Sequence, residues 1–136
     1  MGGLVRLETV FIEHVGATAD LSGQRKAVLM NGQSWMEVPL VPFSSSLDAS
    51  TDENPISEKT SLSIYVRPDW AHILRLDAML HLGCLLRLHF ADGTIMIAGN
   101  LEFPVHGTLT PSKGTRPEDS SSYLISATCH TVLPEL

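Results

Sequence analysis

The sequence predicts a mainly β domain of the α+β kind: two packed antiparallel sheets, as a sandwich or open barrel, with one helix at about residues 68–82. Three observations lead there. Apolar residues alternate with polar ones over several short runs, which is the period of a half-buried strand. Asn-Gly and Asp-Gly steps fall between those runs, where tight turns are needed. A single segment, Pro68 to Leu82, is rich in Leu, Ala and Met and breaks the alternation.

Taken along the chain, Leu4 to Glu13 reads as extended, Ala27 to Met30 as a shorter candidate, and Trp35 to Val41 as a further strand, with Asn31-Gly32 as a tight turn between the last two. From Phe43 to Thr60 the chain turns to Ser, Asp, Glu, Asn and Pro with no apolar period, so a long polar loop is expected there. Leu62, Ile64 and Val66 then alternate with Ser63 and Tyr65. In the helical segment Pro68 and Asp69 suit a start and Gly83 an end. Trp70, Ile73, Leu74 and Leu80 fall at roughly helical spacing, an apolar stripe for packing on the sheet. Leu86, Leu88 and Phe90 alternate with Arg87 and His89, and Asp92-Gly93 separates them from Thr94 to Ile97. This is the strongest hairpin signal in the chain, with a type I′ turn expected. Strands are expected over Phe103 to Thr110 and Tyr123 to Val132, the latter with Tyr123, Ile125, Ala127 and Cys129 on one face. A second loop, Pro111 to Ser122, lies between them. Leu85, Trp35 and Met96 are large apolar residues on strand faces that should be polar. They mark either an interface or a face covered by another layer.

Composition narrows the function classes. A chain of 136 residues, 43% apolar and 18% charged, has the size of one domain and enough apolar material for a core, so residues 1–136 read as a single β-rich domain. Apolar stretches are interrupted well short of the roughly 20 residues that cross a bilayer, and the start lacks a basic segment followed by an apolar run. Gly2 does not mark myristoylation, because Arg6 stands where a Ser or Thr is required. Two cysteines, Cys84 and Cys129, are too few for a disulfide scaffold and read as buried small hydrophobes; a cytoplasmic location is expected. A net charge of -6 with nine scattered basic residues argues against specific nucleic-acid binding, which needs clustered Lys and Arg.

The search for chemistry returns little. There is no Gly-x-Ser-x-Gly elbow, no phosphate-cradling Gly-rich loop with Lys, and no His-Glu-x-x-His. Asp48, Asp52, Glu53 and Glu58 are carboxylates in a loop, whereas a catalytic pair has to be held rigidly. Of the six histidines, His89, His106 and His130 point away from the apolar face of their strands, and neighbouring strands would bring them together as a zinc site. Against this stands the plainer reading of polar residues on the face opposite the core; His72 and His81, on the expected helix, have no obvious partners. No catalytic, cofactor-binding or metal residue is therefore expected, and the chain does not read as an enzyme.

From Leu85 onward the order of features resembles a group of prophage-encoded small tail-structure proteins, the tail tube-like subunits. The residues that carry the resemblance are the hairpin Leu86-Arg87-Leu88-His89-Phe90-Ala91-Asp92-Gly93-Thr94, then Gly99, Glu102-Phe103-Pro104-Val105, Thr110, Gly114, Thr115-Arg116-Pro117-Glu118-Asp119 and the last strand from Tyr123. The helix at 68–82 and the polar loop before it match the same layout, so about the C-terminal two thirds are covered. Asn100 stands where a Thr-Pro step is usual, and Ser120-Ser121-Ser122 replaces the usual Asn-Gly. The resemblance implies two packed sheets with a flanking helix and self-association into rings or tubes through sheet edges and loops. The implied partners are copies of the chain and other phage structural proteins, with assembly into a virion-like particle. The alternative is a monomeric ligand- or protein-binding β domain whose long loops form the recognition surface.

Overall fold

The computed structural model describes residues 3–40, 46–51, 58–67, 71–112, 122–130 and 132–136; in 46–51, 58–60 and at 112 it describes the backbone alone. The chain runs through β1 (Leu4–Phe11), β2 (Val15–Leu21), β3 (Gln24–Leu29), β4 (Met36–Val38), β5 (Ser46–Thr51) and β6 (Glu58–Val66). Helix α1 (Ile73–Leu82) follows, and then β7 (Cys84–Phe90), β8 (Ile95–Ala98), β9 (His106–Ser112), β10 (Ser122–Cys129) and β11 (Val132–Pro134). The fold is mainly β, with two packed antiparallel sheets and one α-helix among the described residues, as the alternation predicts. A five-stranded sheet has the order β11-β8-β7-β1-β4 and a four-stranded sheet the order β5-β6-β10-β9, while β2 and β3 form a ribbon of their own.

The main core lies between the two sheets. Leu7, Leu86, Leu88 and Phe90 project from the five-stranded sheet, and Leu62, Ile64, Val66, Ile125 and Ala127 from the four-stranded one. Each such Leu, Ile, Val or Phe side chain, fully buried, contributes about 1.5–3 kcal/mol, so the alternation read from the sequence is the main source of cohesion. Two corners tie the sheets together: Leu40 bridges to Val66, and Cys84 to Val105. At Gly107 the backbones of β9 and β10 come so close that an added Cβ would sit 2.6 Å from the Ser126 carbonyl oxygen. Only glycine fits there.

Several expectations change. Within the expected 43–60 loop, 46–51 is a strand, paired with β6 from Ser46 opposite Ser63 to Thr51 opposite Glu58. A polar composition hides an edge strand from periodicity, because an edge needs backbone partners on one side only. Residues 43–45 and 52–57 of that loop, and 113–121 of the second, lie outside the described residues. The helix begins at Ile73, with Pro68, Asp69 and Trp70 outside the described residues, and its buried face differs from the expected stripe. Leu76, Met79 and Leu80 are buried with Ile73 packed beside them, while Leu74 is 81% exposed. Leu and Ala occur all round this helix, so spacing alone does not fix which face packs.

The Asp92-Gly93 hairpin forms, but not on a type I′ turn. Gly93 alone there has a positive φ (89°), its N–H donates to the Phe90 carbonyl, and Phe90 N–H donates to Thr94. This is a three-residue loop, a type I turn closed by a left-handed glycine. The turn with positive φ at both central residues is Ser22-Gly23 (55° and 77°), joining β2 to β3, a hairpin whose first strand the alternation did not reveal. The Asn31-Gly32 turn is present, with Gln33 N–H donating to Met30 and Gly32 at φ 81°. β9 starts at His106 rather than Phe103, because residues 100–103 close on themselves: Asn100 Oδ1 accepts from Phe103 N–H at 2.6 Å. The last expected strand divides in two. After Cys129 the chain leaves the four-stranded sheet, and β11 pairs with β8 in the other.

Leu85 and Trp35 belong to a second, smaller core. The β2–β3 ribbon lies over the back of the five-stranded sheet, and Val15, Ala27 and Leu29 pack there on Val10, Leu85 and Trp35. Met96 instead packs against the main core, opposite Leu88. Leu85 and Trp35 thus mark a covered face, while Met96 lies on the core-facing side of β8 beside Leu88.

Candidate functional site

Polar side chains gather at three places: on the back of the five-stranded sheet, under the β2–β3 ribbon, and at the end of the four-stranded sheet where β9 begins and β10 ends. The first is on the back of β1 and β7, beside the ribbon. Antiparallel pairing sets Glu8 opposite Arg87 and Arg6 opposite His89, so one face collects all four. Glu8 is buried, and its Oε1 accepts from Arg87 Nε at 3.0 Å and from His89 Nε2. Burial pushes the Glu8 carboxyl up, but the His89 hydrogen bond and the charges of Arg87, Arg6 and His89 together hold it below the usual carboxylate range. An ionised carboxylate only accepts, so His89 carries its proton on Nε2. Arg87 continues to Glu135 at 3.5 Å and lies 5.0 Å from the centre of the Trp35 ring, and Arg6 reaches Glu37 at 3.3 Å. Three carboxylates meet two guanidiniums and one imidazole, and each is engaged. Such a cluster has no spare charge with which to hold a substrate or an ion; what it does is fix the register of β4, β1, β7 and the C-terminal segment.

The second is Arg25, whose side chain is 0% exposed although it sits on the ribbon. Its Nε and Nη2 donate to the two oxygens of Asp20 at 2.7 and 3.1 Å, and Nη1 donates to the Gly99 carbonyl at 2.9 Å. The hydrogen bond from Arg25 holds the Asp20 carboxyl below its ordinary range, against a smaller opposing effect of burial. The backbone joins in, since the Arg25 carbonyl accepts from Leu136 N–H at 2.9 Å. Arg25 therefore fastens the ribbon to β8 and to the last residues of the chain. Sequence reasoning passed over it, although a Ser-Gly turn centred on 22–23 places Asp20 directly opposite Arg25.

The third is a cleft of about 380 Å³ at the start of β9 and the end of β10, lined by Glu102, Phe103, Pro104, His106, Thr128 and His130, with Cys129 at its wall. The His130 ring is tilted on Phe103 with centroids 4.3 Å apart, and His106 Nδ1 donates to the His81 carbonyl at 3.3 Å. Of the three histidines weighed as zinc ligands, His106 and His130 thus line one cleft, whereas His89 is held by Glu8 on the other sheet. Among the described residues no group of three or more His, Cys, Asp and Glu is placed to hold a metal. The side chains of the loop carboxylates Asp48, Asp52, Glu53 and Glu58 lie outside the described residues. His81 Nδ1 donates to the Asp77 carbonyl one turn earlier, which gives that helical histidine a local partner.

The cysteines are buried and free. Burial pushes the Cys84 thiol up to about 12 and the Cys129 thiol up to about 11. Neither is a thiolate at neutral pH, so neither is a ready nucleophile. Among the described residues every buried side-chain nitrogen and oxygen has a hydrogen-bond partner, and no helix is long and apolar enough to cross a membrane. No protein-family model, curated protein or solved structure matches the chain.

Proposed function

We propose that this chain is a non-enzymatic structural subunit that associates with copies of itself, as a tail tube or related component of a phage tail-like assembly. The observation that carries self-association is the open edge of the four-stranded sheet. The polar strand β5 is hydrogen-bonded to β6 on one side and has no second strand beside it among the described residues. An edge of this kind accepts a strand from a neighbouring chain. The phage tail assignment comes from the sequence resemblance. The net charge of -6 suits a subunit that must not grip DNA. Folding in the cytoplasm before assembly into a virion-like particle belongs to the same reading.

Size-exclusion chromatography with light scattering, and negative-stain images at high protein concentration, test the proposal. Rings or tubes are the expected result; a strict monomer at every concentration counts against it. A second reading, a monomeric ligand- or protein-binding β domain, is favoured by the cleft at Phe103, His106 and His130. It predicts a monomer whose melting temperature rises with a bound ligand.

A further inference from the structure

A cavity of about 330 Å³ opens between the end of β1, the segment from Gly32 to Met36 and the first half of α1. Its lining brings together His14, Gln33, Ser34, His72 and Arg75, with the buried Met79 as an apolar part of the wall. Each wall is held from elsewhere. The His14 carbonyl accepts from Met30 N–H at 2.9 Å, and Gln33 N–H donates to the Met30 carbonyl at 3.0 Å, so two of the walls are tied at one residue. The His14 ring meets Phe11 edge-on, with centroids 5.7 Å apart. On the third wall, Leu76 is anchored in the main core and so fixes the backbone of its neighbour Arg75. The side chains themselves are not spent on the fold. Among the described residues, those of His14, Gln33, Ser34 and Arg75 make no hydrogen bond or ion pair, whereas Arg6, Arg25 and Arg87 each meet a carboxylate. Asp77, two positions after Arg75, lies 3.7 Å from His81 instead. In a chain of net charge -6, no Asp or Glu is among the described residues that line this cavity, while the cleft at Phe103 carries Glu102.

We infer that this cavity binds a small phosphomonoester, with Arg75, His14 and His72 around the phosphate and Gln33 and Ser34 completing its hydrogen bonds. Charge selects an anion, because a guanidinium and two imidazoles line the space and no described carboxylate opposes them. The number of donors selects phosphate over carboxylate. A guanidinium, two imidazoles, an amide and a hydroxyl together suit the three acceptor oxygens of a phosphate better than the two of a carboxylate. Size limits the rest of the ligand. A cavity of about 330 Å³ is at the lower end of small-molecule sites, with room for a phosphate and a small organic body. Arg75 is exposed, so its long side chain is able to fold over a bound ligand while the backbone behind it stays fixed. The site is independent of the self-association proposed above, since it uses no residue of the β5 edge.

The test is isothermal titration calorimetry of the full chain with phenyl phosphate, beside benzoate as a carboxylate of similar body and inorganic phosphate as the bare anion. Phenyl phosphate is expected to saturate one site at submillimolar concentration, with both comparison compounds weaker. Arg75→Gln is expected to weaken it about ten- to a hundredfold, the loss of a charge-assisted hydrogen bond. Lys26→Gln removes the same charge from an exposed position on the ribbon, outside the cavity lining, and is expected to leave binding unchanged. No saturable binding at millimolar phenyl phosphate would overturn the inference, as would a Lys26→Gln loss equal to that of Arg75→Gln, which would reduce the effect to general attraction. Benzoate or inorganic phosphate binding as tightly as phenyl phosphate would overturn the choice of a phosphomonoester. Thermal melts check folding, and Gln33→Ala, at an exposed position of the lining, replaces Arg75→Gln if that variant does not fold. The oligomeric state is read separately by light scattering, so failure here leaves self-association standing.

Discussion

Removing either member of the Arg25–Asp20 pair should destabilise the fold unequally, and in the order that exposure alone would reverse. The Asp20 side chain is 46% exposed and that of Arg25 0%. By exposure, Asp20 belongs to a surface pair worth about 0–1 kcal/mol, and its loss should be mild. The partner left behind decides otherwise. Asp20→Ala leaves a guanidinium sealed from water without the carboxylate that its Nε and Nη2 meet, and breaking a buried pair in this way costs about 3–5 kcal/mol. Arg25→Met keeps the apolar bulk and leaves a carboxylate that can turn to solvent. Its main loss is the charge-assisted bond to the Gly99 carbonyl at 2.9 Å, about 1.5–3 kcal/mol. The further bond to Ile97 at 3.4 Å is too long to add much. Asp20→Ala should therefore exceed Arg25→Met by about 1–2 kcal/mol, and the double variant should be no worse than Arg25→Met alone. Urea unfolding followed by circular dichroism measures all three. A milder effect for Asp20→Ala, or additive losses in the double variant, would refute the reasoning.

Acid should weaken the fold through two carboxylates. Glu8 and Asp20 have folded values below their unfolded values of 4.5 and 3.8, so the stability they contribute is complete above those values and is lost as pH falls through the depressed folded ones. Urea midpoints measured from pH 7 to pH 3 should hold until about pH 5 and then fall, and Glu8→Gln should flatten the upper part of the fall; an unchanged profile would contradict the assignment. With thiols raised to about 12 and about 11, neither cysteine should react with a disulfide reagent at pH 8 until urea unfolds the chain, and prompt labelling of the native protein would show the burial to be wrong. Gly107→Ala should cost more than about 2 kcal/mol, because the new methyl meets backbone at 2.6 Å, whereas Gly93→Ala, which meets nothing within 4 Å, should cost about 1–2 kcal/mol from its positive φ alone. Thermal melts that rank the two the other way would overturn this.

What was legible in the sequence was what period and turn chemistry control. Leu62, Ile64 and Val66, or Leu86, Leu88 and Phe90, each need one face hidden, and that need is written at every second residue. β5 could not be seen this way, because Ser46 to Thr51 owe their strand to backbone pairing with β6 and carry no regular apolar face. β2 escaped for a related reason. Its small residues Gly16, Ala17 and Ala19 blur the alternation, and only the Ser22-Gly23 turn signals a hairpin. The helix was visible but its orientation was not, because Leu74 and Leu76 look alike until a core is present to choose between them. The polar clusters depend on strand order. Glu8 meets Arg87 and His89 only once β1 lies beside β7, and nothing local in the chain says that it does.

That pairing also sets a timetable. Glu8 and Arg87 are 79 positions apart, so β1 leaves the ribosome long before its β7 neighbour exists. At about 5–20 residues per second the wait is roughly 4–16 s, far longer than the microseconds in which a local hairpin such as β2–β3 can close. Throughout it, Leu7 to Val10, four consecutive residues that end up buried, lack their β7 partners and have only β4, which sets Val38 opposite Leu7 and Met36 opposite Thr9, to pair with. The hazardous interval in the life of this protein is therefore during its synthesis. Slower aggregation at low temperature, or a chaperone that holds the first ten residues, should govern the yield of soluble chain more than the stability of the finished sheet does.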